Sequence, residues 1–286
     1  MVFSTGMSRR KKKNDSEKKN GNDLLRTWQA ERLAQDRELP VPAHGPSEVT
    51  LLAYHFRPAD RSDEYFAYLE CAIRETWRRC GFLHTVIVTN QPTEAMKTFA
   101  EPFGIQVEIQ VEPTLVPGKP ETMSMDCNGR LFKRFATPYV LIVQDDAFPI
   151  RPGLGAFLDS GDFWGAPMAG TSWWSRFWSR AFNSHAMDGG FSLRRRALCN
   201  QVAQEWRLRY ADVPFRRAQH ADGVFPTKTL PEKSFSYRHS VTFPLPDHAR
   251  DFSFDGTGSL KGRVPPFGFR GAHAFKILKD SGKFDL

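Results

Sequence analysis

The sequence predicts an α/β domain with a mixed, mostly parallel sheet flanked by helices, and three observations carry that prediction. From Val49 onward, short runs rich in Val, Ile and Thr alternate with segments of helical periodicity, as in strand–helix units whose strands pair in parallel through right-handed crossovers. The stretch Tyr139-Val140-Leu141-Ile142-Val143 is continuously apolar, with Pro138 before it and Pro149 soon after, as expected of a strand buried on both faces. At 286 residues the chain is long enough for one sizeable core with a tail.

Residues 1–46 read as a basic, largely disordered tail, and residues 47–286 as the folded domain. Disorder is expected over 1–22, after which Asp23 caps a short helix carrying Leu24, Leu25, Trp28 and Leu33. That helix ends before the loop Pro40-Val41-Pro42-Ala43-His44-Gly45-Pro46. Val49–Tyr54 is the first strand. Ser62 then caps a helix with Asp63 and Glu64 in its first turn, Phe66, Leu69, Ile73 and Trp77 on one stripe, and Gly81 at its end. Thr85–Thr89 and Ile105–Val111 form the next two strands, with a helix from Thr93 to Ala100 between them. A helix near Cys127–Phe135 feeds the strand that ends at Asp145-Asp146. Beyond it, Trp164-Gly165-Ala166-Pro167 ends a strand beside the acidic one, and Phe191-Ser192-Leu193 enters the core as another. Arg194, Arg195 and Arg196 open a helix that turns Ala197, Leu198, Val202 and Trp206 inward; the three arginines could steer a diphosphate, but a solvated helix face is the preferred reading.

The net charge of +8 is unevenly placed. Residues 1–20 hold seven Lys and Arg against Asp15 and Glu17, seven minus two or +5, which leaves +3 for the rest. A mildly basic body argues against a nucleic-acid-binding protein, so an anionic membrane surface is the better partner for the tail. The four cysteines, Cys71, Cys80, Cys127 and Cys199, form no CxxC pair and suit a reducing compartment. No segment reaches transmembrane length, and the N-terminus lacks the apolar stretch of a signal peptide. The expected location is the cytoplasm, with peripheral contact at the inner face of the membrane.

Ligands of open α/β sheets gather beyond the carboxyl ends of the strands, where Asp145 and Asp146 fall. Neighbouring side chains alternate, so one carboxylate reaches into the cleft while the other orients it or joins it on a cation. Two hard-oxygen ligands suit Mg²⁺ or Mn²⁺ carrying a diphosphate, although aspartates also favour plain turns. Gly189 and Gly190 permit close approach of a ligand, or equally a bulge. Trp173, Trp174 and Trp178, interleaved with Arg176 and Arg180, suit a sugar-stacking platform, core packing or a membrane-interface patch. No glycine pattern of a P-loop is present.

Four short motifs, Gln144-Asp145-Asp146, Gly165-Ala166-Pro167, Asp188-Gly189-Gly190-Phe191-Ser192-Leu193-Arg194 and Pro266-Phe267-Gly268-Phe269, resemble in order and spacing those of a bacterial-type family of glycosyltransferase-like proteins. That family has the GT-A fold, and its pattern reads Gln-Trp-Asp, Gly-Ala-Pro, Asn-Gly-Gly-Phe-Ser-Leu-Arg and Pro-Phe-Gly-Phe-His. The resemblance spans about Val49 to His273. It implies a GT-A-like domain that moves a sugar from a nucleotide-sugar donor to a sugar, glycan or lipid-linked acceptor, assisted by Mn²⁺ or Mg²⁺. Asp146 takes the place of the motif aspartate, as a metal ligand. Asp145, standing where the family has tryptophan, adds a second carboxylate for the metal or donor. Gly189, Gly190 and Arg270 would line the donor diphosphate, and Trp173 and Trp174 the acceptor. Asp188, in place of asparagine, would hold sugar hydroxyls, and Asp222 would take the acceptor proton. These two are the catalytic candidates. Arg270 stands where the family has histidine, so either it clamps phosphate or His273 completes the metal shell. Ala221 replaces an acidic residue. With Arg270, this departure lends weight to one alternative, a non-catalytic GT-A-like binding or scaffold protein; a metal-dependent phosphoryl or nucleotidyl transferase using the same aspartates is the other.

Overall fold

The computed structural model describes residues 5–35, 45–81, 83–167, 187–210, 241–242, 244, 246–256 and 260–282. Strands β1 (Val49–His55), β2 (His84–Thr89), β3 (Val107–Val111) and β4 (Tyr139–Val143) pair in parallel, and β5 (Phe163–Pro167) and β6 (Met187–Arg195) complete the sheet. The order is β3-β2-β1-β4-β6-β5, with β6 antiparallel to both its neighbours. The predicted fold class is the observed one, a mixed and mostly parallel sheet between helices. The Gly-Ala-Pro strand, however, does not lie beside the acidic strand, because β6 separates them.

Alternation along the strands divides the core into two layers. Leu51, Ala53, Ile87, Leu141 and Val143 face helices α2 (Ser62–Cys80) and α3 (Glu94–Thr98), where Phe66, Leu69, Ile73, Trp77 and Met96 are buried. Leu52, Tyr54, Val86, Val88, Val140 and Ile142 face α4 (Pro120–Gly129) and α5 (Arg196–Tyr210), which contribute Cys127 and Cys199. Trp77 stacks on Phe99 at 5.7 Å, and each such fully buried large side chain contributes about 2–3 kcal/mol. At the β5–β6 end, Phe157, Trp164, Phe191 and Phe267 close around Phe252, the last residue of α6 (Pro246–Phe252).

Several elements differ from expectation. The helix preceding the acidic strand begins at Pro120, whose fixed φ suits the first helical turn, and only a short 3₁₀ turn, Leu131–Lys133, follows it. Arg194 and Arg195 belong to β6 rather than to the next helix, which starts at Arg196. Arg194 is 7% exposed and lies over the Phe163 ring, so it is not part of a solvated helix face. The largest difference is at the N-terminus. Helix α1 (Thr5–Gln35) runs straight through Asp23 instead of starting there. Its Leu25 and Trp28 are buried with Phe148, Ile150, Phe269 and Phe275, the last from α7 (Ala272–Asp280). A helix expected within the tail therefore packs on the folded body. No helix among the described residues is long and apolar enough to cross a membrane.

Candidate functional site

Strand β4 stops at Val143, and the two aspartates occupy the tip of a tight turn rather than the strand itself. The Gln144 amide donates to the Ala147 carbonyl at 2.9 Å and the Ala147 amide returns the bond at 3.1 Å. Both ends of the chain hold this turn. Gln29 of α1, fully buried, donates through Nε2 to the Asp145 carbonyl at 2.6 Å. The Gly271 amide, just before α7, donates to the Asp146 carbonyl at 2.8 Å. Arg270 precedes it, fixed by its own amide bond to the Phe254 carbonyl at 2.9 Å in the strand pair β7 (Ser253–Phe254) and β8 (Gly268–Phe269).

Around the turn opens a cleft of about 280 Å³. Asp145, Asp146, Gly189, Gly190 and Arg270 line it, as expected of them, together with Arg57 at the end of β1 and Arg194 from β6. Phe56, Pro120, Met123, Cys127 and Ile142 supply an apolar wall. Close packing explains Gly190, since a Cβ there would stand 2.6 Å from Gln144 Oε1 and 2.7 Å from Arg270 Nε. Gly268 is equally constrained, because a Cβ would lie 2.2 Å from Phe191 Cε1 and 2.8 Å from the Phe148 carbonyl. Arg194 braces the glycine segment, donating from Nη2 to the Gly189 carbonyl at 3.3 Å and from Nε to Ser192 Oγ at 3.1 Å.

The two carboxylates have different surroundings. Asp145 Oδ2 accepts from Arg26 Nη2 of α1 at 2.7 Å and from Arg57 Nη2 at 3.5 Å. Asp146 keeps an edge open to the cleft, yet burial pushes its pKa up from 3.8 to about 6. The like charge of Asp145 adds to that rise, while Arg270 and Arg26 oppose it. Burial lowers the pKa of Arg270, and the Asp146 carboxylate works against that shift. Behind Arg57, His55 is pulled down to about 4 by burial and by Arg57, so its imidazole is neutral where it meets Ser62 Oγ at 3.0 Å. On the α4 side, Tyr54 donates to Asp126 at 2.8 Å, and Arg134 joins Asp126 to Glu112. The hydrogen bonds of Thr114, Arg134 and Arg130 outweigh desolvation and bring Glu112 down to about 2.

His273 stands exposed in the first turn of α7 against Gly256, outside the cleft lining. Of the two alternatives for this end of the motif, Arg270 therefore lines the cleft and His273 does not. Asp188 lies within β6, but its side chain is outside the described residues, as are Trp173, Trp174, Ala221 and Asp222 entirely. Among the described residues no group of three His, Cys, Asp or Glu could hold a metal. Sequence reasoning missed Arg57, Arg26 and Gln29, and preferred a solvated helix face for Arg194, which lines the cleft instead. Arg57 follows the carboxyl end of β1, where the sheet-end rule applies as it does to Asp145. For Arg26 and Gln29 the signal was the apolar spacing Leu25–Trp28 in a segment assigned to a tail.

The chain belongs to the family described as a protein of unknown function (DUF5672), which matches residues 106–270. No curated protein matches the sequence significantly. Among solved structures, it is similar to core-mannan synthase A from Aspergillus fumigatus in its Mn/GDP form, at 11% identity and TM-score 0.41 over 67% of this chain and 71% of that one. It is similar also to the mannosyltransferase Ktr4p from S. cerevisiae. With GDP bound, the figures are 8% identity and TM-score 0.43 over 71% and 74%, and without a ligand in its description 9% and 0.43 over 71% and 73%. A likeness this remote says nothing about what the chain binds.

Proposed function

We propose that the protein is a glycosyltransferase that takes a nucleotide-sugar donor in the cleft beyond β1 and β4. One observation carries this reading: a half-open carboxylate, Asp146, shares a sheet-end cleft with the guanidinium groups of Arg57, Arg194 and Arg270. Arginine forks match the oxygens of a diphosphate, and a carboxylate without an ion pair of its own among them has no use for an anion unless a cation stands between. A divalent cation, Mn²⁺ or Mg²⁺, suits Asp146 because burial penalises its uncompensated charge. With no third acidic, histidine or cysteine ligand among the described residues, phosphate oxygens and water complete its shell.

When bound, such a cation supplies Lewis-acid stabilisation of the charge on a departing diphosphate. The chain's own residues do the rest. Arg270 and Arg57 hold phosphate oxygens, and Arg194 fixes the Gly189–Gly190 backbone against which the ligand lies. The Phe56, Pro120, Met123 and Ile142 wall shields one side of the cleft from water. Asp188 and Asp222 keep their expected catalytic roles, and Trp173 and Trp174 receive the sugar, glycan or lipid-linked acceptor. These last assignments rest on sequence.

Calorimetric titration of the full chain with UDP, GDP, ADP and CDP, each with Mn²⁺ and with chelator, tests the reading. At least one diphosphate is expected to bind in the micromolar range with Mn²⁺ and at least tenfold more weakly without it. Absence of binding across the panel would overturn the reading.

A further inference from the structure

We infer that Asp145 is not a ligand of metal or donor but the dock for the N-terminal helix, and that Arg26 is a positioning residue of the site. The geometry is specific. Arg26 Nη2 lies 2.7 Å from Asp145 Oδ2, its guanidinium sits 4.0 Å above the Tyr68 ring, and its Nη1 donates to Gln29 Oε1 at 3.0 Å. Gln29 in turn donates to the carbonyls of Asp145 and Tyr68. Side chain and backbone of Asp145 are thus both gripped by one turn of α1. A second ionic contact, Arg32 Nε to the buried Glu75 Oε1 at 2.9 Å, fastens the same helix to α2. Trp28 lies between, 6.0 Å from Phe148 in a stacked arrangement, and Phe148 is the second residue after the aspartate turn.

Charge decides between the two carboxylates. Asp145 Oδ2 already accepts from both Arg26 and Arg57, so a cation on that oxygen would have to displace both, and one on Oδ1 would stand beside two guanidinium groups. Asp146 has no such direct ion pair among the described residues and lines the cleft. Asp145 therefore serves as an ionic anchor for α1. A segment assigned to the tail becomes part of the site.

The inference rests on the proposed function only for its nucleotide readout. Four full-length proteins test it: the unaltered chain, Arg26→Gln, Asp145→Asn and the double variant, with Arg26→Lys as the conservative control. In thermal melting, Arg26→Gln is expected to lower Tm when Asp145 is present and to change it little when Asp145→Asn is already in place. Equal losses in both backgrounds would overturn the inference, whatever nucleotide does. In Mn²⁺-dependent titration with the tightest diphosphate, Asp145→Asn and Arg26→Gln should each weaken binding by about three- to tenfold, without adding in the double variant, and Arg26→Lys should restore most of it. Asp146→Asn should weaken binding by more than a hundredfold. Losses of that size in Asp145→Asn, with Arg26→Gln unchanged, would make Asp145 a ligand and sink the dock. If the unaltered chain binds no diphosphate, the donor reading fails, and the melting cycle still decides the dock.

Discussion

Replacing Asp146 by Asn should make the ligand-free protein more stable at neutral pH while removing its response to a cation. The folded-state pKa of Asp146 is raised, from 3.8 to about 6, so the folded protein favours the protonated form more than the unfolded chain does. For a raised carboxylate the sign is a cost: absent below about pH 4, growing as pH rises through the two values, and complete above about pH 6. A shift of roughly two units corresponds to about 3 kcal/mol, and solvent at the open edge of the cleft reduces it to nearer 2 kcal/mol. Asparagine keeps the volume and carries no charge, so it removes that cost. For a domain of this size, about 2 kcal/mol should raise Tm by roughly 4–8 °C at pH 7.5. Scanning calorimetry from pH 3.5 to 8 checks this, with and without Mn²⁺. A gain that persists at pH 3.5, or no gain at pH 7.5, would refute the claim that Asp146 is an uncompensated buried charge awaiting a cation.

Gly268→Ala should cost about 3 kcal/mol or more, read by chemical denaturation, since its Cβ would overlap the Phe191 ring and approach the Phe148 carbonyl within a packed core. Glu112→Gln should destabilise by about 1–2 kcal/mol at pH 7. Because the Glu112 pKa is lowered to about 2, that contribution is complete above pH 4.5 and lost as pH falls toward 2, where the variant should match the parent. A chain starting at residue 20 should keep its Tm, since residues 1–19 are too polar to add much apolar burial. Trp28→Ala should instead lose about 3–5 kcal/mol, because Trp28 is buried against Phe148 and Phe275. Equal tolerance of both changes would contradict the docked helix.

The central sheet was legible because β1, β2 and β4 carry apolar runs and β3 alternates apolar with polar residues, and the helix from Ser62 declared itself by its stripe. Asp146, Gly190 and Arg270, which line the cleft, were candidates in the sequence because they follow strands or sit in short motifs. The rest depended on contacts distant in sequence. Arg26 reaches Asp145 across 119 positions, and the apolar spacing of Leu25 and Trp28 announces a helical turn with a buried face without saying what it packs against. Arg194 was assigned to a solvated face because three consecutive arginines suit a helix surface. The antiparallel register places it opposite Val140 instead, where burial and the Gly189 carbonyl hold it. The choice between Arg270 and His273 stayed open in the sequence because motif spacing does not reveal which side of a helix a residue occupies.

The most direct measurement is anomalous diffraction at an energy sensitive to manganese, from crystals of the full chain grown with Mn²⁺ and a nucleoside diphosphate. The account predicts one manganese peak within about 2.2 Å of an Asp146 carboxylate oxygen, diphosphate oxygens completing its shell, Arg270 on the phosphates, and Asp145 still bound to Arg26. Manganese away from Asp146, or a diphosphate bound outside the cleft, would contradict it.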